Sequence, residues 1–116
     1  MPSRYVILHH RTAGGEHWDL MLEHSDALMT WQLVINPFEP SSFPIPARRI
    51  EDHRMAFLTY EGPISRDRGH VRRVDAGTVE FEEFTATCVV IALEGGRLQG
   101  RYALTTEGEF QIRNQP

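Results

Sequence analysis

The feature that most constrains this chain is how its apolar residues are spaced. Nowhere do they recur with a helical period over the length of an amphipathic helix. They alternate instead, in short runs cut by turn residues. Residues 4–9 (Arg-Tyr-Val-Ile-Leu-His) are rich in β-branched and aromatic side chains. Thr12-Ala13-Gly14-Gly15 reads as a turn. In 16–24, Trp18, Leu20 and Leu22 fall on one face of a strand, and His17, Asp19, Met21 and Glu23 on the other. Ser25-Asp26 is a tight turn into a third strand at 27–35, so 16–35 forms a hairpin. Residues 36–46 carry prolines at 37, 40, 44 and 46 and make a connector rather than a strand. Strands are expected again at 47–50, 55–60, 71–74, 78–84, 86–93, 97–105 and 109–113. Asp75-Ala76-Gly77, Glu94-Gly95-Gly96 and Glu107-Gly108 are expected as turns, and 63–70 as a polar loop. The pattern predicts an all-β fold. It is a small closed or partly closed β-barrel of about eight strands with a proline-rich connector, or else a sandwich. Residues 1–116 are expected to form a single domain.

Composition removes several function classes. With Cys88 as the only cysteine, an intramolecular disulfide and a multi-cysteine zinc site are excluded. Cys88 lies in an apolar run and reads as a small buried hydrophobe rather than a nucleophile. All twelve basic residues are arginine, which excludes a lysine Schiff base. No apolar run is long enough to span a membrane as a helix, and the N-terminal residues lack the pattern of a secretory signal. A cytoplasmic location is therefore expected.

The formal net charge is −4, yet its distribution is uneven. Seven arginines (48, 49, 54, 66, 68, 72 and 73) share residues 48–73 with four acids, a local surplus of three positive charges. A basic segment on an acidic chain suits a phosphate-bearing ligand. The competing reading is a solvated loop with scattered ion pairs.

The informative stretch is His9-His10-Arg11-Thr12-Ala13-Gly14-Gly15-Glu16-His17-Trp18-Asp19. On a strand, His17 and Asp19 share a face with their Cα atoms roughly 6.5–7 Å apart. His10, across a short turn, can add a third ligand. Imidazoles with a carboxylate suit Mn²⁺, Zn²⁺ or Fe²⁺. Three protein ligands leave open positions for water or a phosphoryl oxygen. The same residues on a polar strand face could simply meet water. Trp18 and Trp31 read as core aromatics rather than base-stacking platforms. His9 reads as a surface residue or a neighbour of the ligands. His24 and His70 read as solvated, and Glu80, Glu82 and Glu83 as an exposed strand face.

Several ordered segments resemble the 3'-phosphoesterase module of bacterial DNA ligase D. They are Arg4-Tyr5-Val6-Ile7-Leu8-His9-His10, then His17-Trp18-Asp19-Leu20-Met21-Leu22-Glu23, then Trp31. Glu51-Asp52-His53 and Tyr60-Glu61-Gly62-Pro63-Ile64 continue the likeness, as do Gly77-Thr78-Val79 and the stretch from Gly96 to Leu104. The resemblance implies a barrel whose cavity holds a divalent metal, Mn²⁺ first and Zn²⁺ as the alternative, beside a phosphate pocket. It implies removal of a terminal ribonucleotide or a 3'-phosphate from DNA or DNA–RNA 3' ends, with other repair proteins as further candidate partners. By position, His10, His17 and Asp19 would be metal ligands. His53 would contact phosphate and serve as general acid. Glu23 would orient a ligand from the same strand face.

Three departures stand out. An arginine of the family is Met21 here, a tyrosine is Phe57, and the turn before His17 is one residue longer. Arg11, Arg54, Arg66 and Arg68 are the candidates to supply the missing phosphate charge. The 116 residues include no polymerase or ligase segment, so a stand-alone version is expected. Three functions follow as expectations: a metal-dependent nucleic-acid 3'-phosphoesterase, a non-catalytic nucleic-acid or partner-binding repair module that keeps the metal site, and a metallo-phosphoesterase acting on a small phosphoester.

Overall fold

The structure is a computed structural model and describes residues 2–113. Its strands are β1 (Ser3–Thr12), β2 (Gly15–His24), β3 (Ala27–Leu33), β4 (Ile45–His53), β5 (Gly62–Pro63), β6 (His70–Phe84), β7 (Cys88–Gly95), β8 (Gln99–Thr105) and β9 (Glu109–Ile112). Every pairing is antiparallel. Eight strands run β1-β2-β3-β4-β9-β8-β7-β6, and β6 pairs back with β1 to close a barrel. The two-residue β5 lies beside the start of β6. The β2–β3 hairpin turns on Ser25 and Asp26, both at positive φ, the geometry that matches strand twist in a two-residue loop. The all-β barrel expected from the alternation is the observed fold.

Two expectations about elements are corrected. Residues 71–84 are not two strands around a turn; β6 is continuous through Asp75, Ala76 and Gly77. The pairing with β1 shifts between Ile7 and Leu8, so β6 carries a bulge there. Asp75 is turned into the barrel rather than toward solvent. Its Oδ2 accepts from the Tyr5 hydroxyl at 2.6 Å and from Leu98 N at 3.0 Å, and its Oδ1 from Arg97 N at 2.8 Å. Residues 55–60 are not a strand either: Met55–Leu58 form a short 3₁₀ turn. A closed barrel leaves no free edge for that segment to pair with. It leaves the wall after His53 and packs flat against it. The connector contains a second 3₁₀ turn at Pro40–Ser42 and its last proline, Pro46, joins β4.

The core divides in two. The larger cluster fills the barrel with side chains from all eight wall strands, including Tyr5, Ile7, Trp18, Leu20, Leu22, Trp31, Ile91 and Phe110. Both tryptophans are core residues, as expected. The smaller cluster lies on the opposite face of β1 and β2: Val6, Leu8, Met21, Leu28, Leu58 and Val71, with Met55, Phe57, Tyr60 and Ile64 packed over it. Cys88 is half-buried rather than buried. Among the described residues no helix is long and apolar enough to cross a membrane.

Candidate metal centre and its cleft

Antiparallel register builds the site from pairs. Along the outer face of the β1–β2 hairpin, Val6 stands opposite Met21, Leu8 opposite Asp19, and His10 opposite His17. One strand step from Met21, Glu23 meets Arg4. The wall therefore grades from an ion pair, through an apolar patch, to a cluster of side chains that could hold a metal ion.

His10, His17 and Asp19 converge at the end of that row. One ligand atom from each lies within 4.8 Å of the others. His10 Nδ1 is 3.2 Å from His17 Nε2. Two imidazole nitrogens on one tetrahedral zinc-like ion would be separated by about 3.3 Å. Asp19 is buried at 4% exposure. Its Oδ1 takes no hydrogen bond, although His17 Nε2 lies 3.2 Å away. A buried carboxylate oxygen left without a donor is costly unless something else satisfies it. A cation between the three side chains would do so, and the donor set fits a transition metal.

The tautomer of His10 supports the same reading. Its Nε2 is 2.7 Å from the backbone oxygen of Arg68, which can only accept, so Nε2 carries the proton. Nδ1 then presents its lone pair to the cluster. The hairpin that brings Arg68 there turns on Arg66 and Asp67 and closes with Ile64 N donating to Gly69 O at 2.7 Å. Gly69 has φ +85°, and a Cβ on it would stand 1.8 Å from the Arg11 carbonyl oxygen. Only glycine lets this hairpin rest against the end of β1. The use of a backbone carbonyl here has no residue-type signature, so the sequence offered no sign of it.

The cluster opens into a cleft of about 350 Å³ whose lining includes His10, Asp19, Met21, His53, Arg54 and Arg68. It lies on the outer wall, under residues 51–71. The interior cavity expected for the metal is instead packed with the larger apolar cluster. His53 Nδ1 lies 3.2 Å from the Glu51 carbonyl oxygen, so that nitrogen holds its proton and Nε2 is left free. The His53 ring stands edge-on to Phe57 at 5.4 Å. The hydroxyl missing at Phe57 is not restored by nearby Tyr60, whose own hydroxyl donates to the Pro63 carbonyl. Met21 is buried among Val6, Leu8, Leu28 and Leu58 and brings no charge to the cleft floor.

The structure gathers some of the candidates and separates others. Arg54 and Arg68 join the cleft. Arg68 is braced, its guanidinium donating to Ser65 O at 2.9 Å and Ser65 Oγ at 3.1 Å. Arg11 faces a different hollow with His9, His70 and Arg72. Arg66 is an exposed residue at the hairpin tip. Glu23 does not join the cleft. It takes Arg4 in a two-pronged pair, with Nε and Nη2 each at 3.0 Å, which lowers its carboxyl pKa chiefly through the Arg4 hydrogen bonds. His9 stacks on Trp18 at 4.8 Å and bonds Glu16 at 2.7 Å.

Comparison with known proteins places the chain in a family. Residues 8–106 match the family described as DNA Ligase D 3'-phosphoesterase domain. The multifunctional non-homologous end joining protein LigD of Mycobacterium bovis is 35% identical over an alignment that covers 97% of this chain and 16% of that protein. The LigD end-joining repair protein of Mycobacterium tuberculosis gives the same figures. The LigD protein of Mycolicibacterium smegmatis is 28% identical over 88% of this chain and 15% of its own length. The chain thus spans only about a sixth of the relatives it matches. With a match of this extent, the chain belongs to the DNA ligase D 3'-phosphoesterase domain family.

Proposed function

We propose that this chain is a metal-dependent phosphoesterase that removes a 3'-phosphate or a terminal ribonucleotide from nucleic-acid 3' ends in end-joining DNA repair. The observation that carries it is the convergence of His10 Nδ1, His17 Nε2 and the unsatisfied Asp19 Oδ1 beside a cleft flanked by His53, Arg54 and Arg68. His10, His17 and Asp19 would hold the ion, and Mn²⁺ suits the mixed nitrogen and oxygen donors, with Zn²⁺ the alternative. The ion would polarise a phosphoryl oxygen and lower the pKa of bound water. Arg54 and Arg68 offset phosphate charge, the task that Met21 cannot perform. His53, once protonated at both nitrogens, donates from Nε2 toward the leaving oxygen while the Glu51 carbonyl holds its ring.

The test is manganese-supplemented cleavage of a primer–template ending in a 3'-phosphate or a single ribonucleotide, with His17→Ala as the control. Release that depends on the metal and is lost in the variant is the expected result. Manganese retained through His10, His17 and Asp19 with no release from either end would overturn it. The burial of Met21 would then favour a second reading, a binding module that keeps the metal scaffold without turnover.

A further inference from the structure

Beyond the cleft, on the side away from the metal cluster, the wall carries a second hollow of about 270 Å³. It lies between the 3₁₀ turn at Met55–Leu58 and the β5–β6 hairpin, and its lining includes Ala56, Phe57, Tyr60, Pro63 and Ile64. Arg54, Phe57, Ile64 and Arg68 line both hollows, so the two adjoin. The second has an apolar and aromatic floor, in contrast to the carboxylate and imidazoles of the first. Its walls are held in place. Tyr60 stands edge-on to Phe57 at 5.9 Å and its hydroxyl is fixed on the Pro63 carbonyl. The Arg68 side chain at the lip is braced by Ser65. No feature of the metal chemistry requires this hollow.

A recess with two aromatic walls beside an anion cleft, with Arg54 and Arg68 lining both, fits a ligand that is aromatic at one end and phosphorylated at the other. We infer that the hollow is a subsite for the nucleoside whose 3'-oxygen carries the scissile phosphate, with its base stacked on one of the two perpendicular rings, Phe57 or Tyr60, and edged by the other. Base–aromatic stacking is tolerant of base identity, as an enzyme of damaged ends requires. The volume lies just under the usual range of ligand pockets and suits one nucleoside rather than an oligomer. Arg54 and Arg68, at the junction, would meet the phosphate that connects the two halves. The inference rests on the phosphoesterase reading of the cleft, and it adds that recognition begins with a single nucleotide.

The test compares the affinities of the whole chain, in Mn²⁺, for inorganic phosphate and for thymidine 3'-phosphate, with p-nitrophenyl phosphate as a non-nucleoside ester. Thymidine 3'-phosphate should bind at least about tenfold more tightly than inorganic phosphate, the effect expected of one stacked base. Ala56→Trp, at an exposed residue, fills the hollow without touching the cleft. It should bring the ratio close to one while leaving phosphate affinity and p-nitrophenyl phosphate turnover unchanged. Tyr60→Leu, which keeps bulk but removes the aromatic face, should lower the ratio as well. Equal affinities in the unaltered chain, or an undiminished ratio in folded Ala56→Trp, would overturn the subsite. If that occurs while 3'-phosphate ends are still cleaved, the phosphoesterase reading stands without it. If neither phosphate ligand binds and no end is cleaved, both fall together.

Discussion

The two faces of the β1–β2 hairpin share one backbone and do opposite things. Its inner face, with Tyr5, Ile7, Leu20 and Leu22, is sealed, each residue at 1% exposure or less. Its outer face runs from the Arg4–Glu23 pair through Val6 and Met21 to His10, His17 and Asp19. Because strand side chains alternate with period two, the sealed set fixes the register that the reactive set inherits. A slip of one residue would carry Trp18 and Leu20 outward and bury the ligands. The main barrel core and the candidate ligands thus sit on alternate residues, and each can be altered with limited effect on the other.

The largest separation should appear with His17→Ala. Loss of one of three ligands should abolish manganese binding and lower turnover by at least about a hundredfold, as removing a group that stabilises transition-state charge does. His17 is partly exposed and anchors no apolar packing, so the unfolding free energy should move by about 0.5 kcal/mol or less. Isothermal titration with manganese and urea unfolding of the same samples check both halves. A large loss of stability would mean that the two faces are not independent.

Leu20→Ala probes the opposite face. A fully buried leucine truncated in the barrel should cost about 2–5 kcal/mol of stability. The fraction that remains folded should bind manganese as tightly as before. Weakened binding in fully folded protein would show strain passing through the wall from one face to the other.

Gly69→Ala tests the outer face without changing a ligand. The added methyl cannot coexist with the Arg11 carbonyl, so the hairpin must lift and withdraw the Arg68 oxygen from His10. Loss of such a supporting contact typically lowers metal affinity about 10–100-fold. Titration with manganese measures it, and unaltered affinity would show that the carbonyl does not orient His10.

These pairings also show what the sequence could disclose. Alternation in 16–24 assigned both faces of β2 correctly, because hydrophobic burial acts on every second residue there. The His10, His17 and Asp19 cluster followed from the same alternation plus a short turn. The barrel-cavity placement implied by the family resemblance did not hold, and alternation alone left open which side of a closed sheet that face becomes. The 3₁₀ turn at 55–58 was missed because Met-Ala-Phe-Leu-Thr-Tyr is apolar enough for a strand. Only barrel closure, a long-range property, denies it a partner. By residue type Asp75 belongs to a turn, and its burial depends on Tyr5, seventy residues away. Arg66 and Arg68 looked equivalent in the sequence, yet the hairpin turn aims one at solvent and the other at the cleft.

The Tyr5–Asp75 contact gives the inner face its own pH signature. Burial first, and then the bond to Asp75, push the Tyr5 hydroxyl well above its ordinary value of 10.0. A raised folded-state pKa contributes stability that is complete below the unfolded value and is lost as pH rises beyond it. Stability should therefore decline above pH 10, where the unfolded phenol ionises and the folded one does not. Tyr5→Phe should cost about 1–3 kcal/mol at neutral pH by leaving a buried carboxylate oxygen short of a donor. It should also flatten the alkaline decline. Tyr102, raised by burial and by Asp75, leaves part of that slope in place. Thermal melts from pH 7 to 11 decide it, and an equally steep decline in the variant would assign the alkaline loss to other groups.

The smallest effect belongs to the exposed end of the outer face. Arg4 holds the Glu23 carboxyl below its usual value of 4.5, chiefly by hydrogen bonding. A lowered folded-state pKa contributes stability that is present above the unfolded value and lost as pH falls through the folded one. The pair is exposed and therefore screened, so the acid-side loss should be slight and should vanish at 1 M salt. Glu23→Gln should reproduce that slight loss at neutral pH and leave manganese affinity unaltered, because Val6 and Met21 separate the pair from the ligands. Acid titrations of unfolding in low and high salt, run beside metal titrations, measure the two quantities. A fall in manganese affinity would restore Glu23 to the ligand-orienting role its family position implies, and the outer face would then act as one connected row.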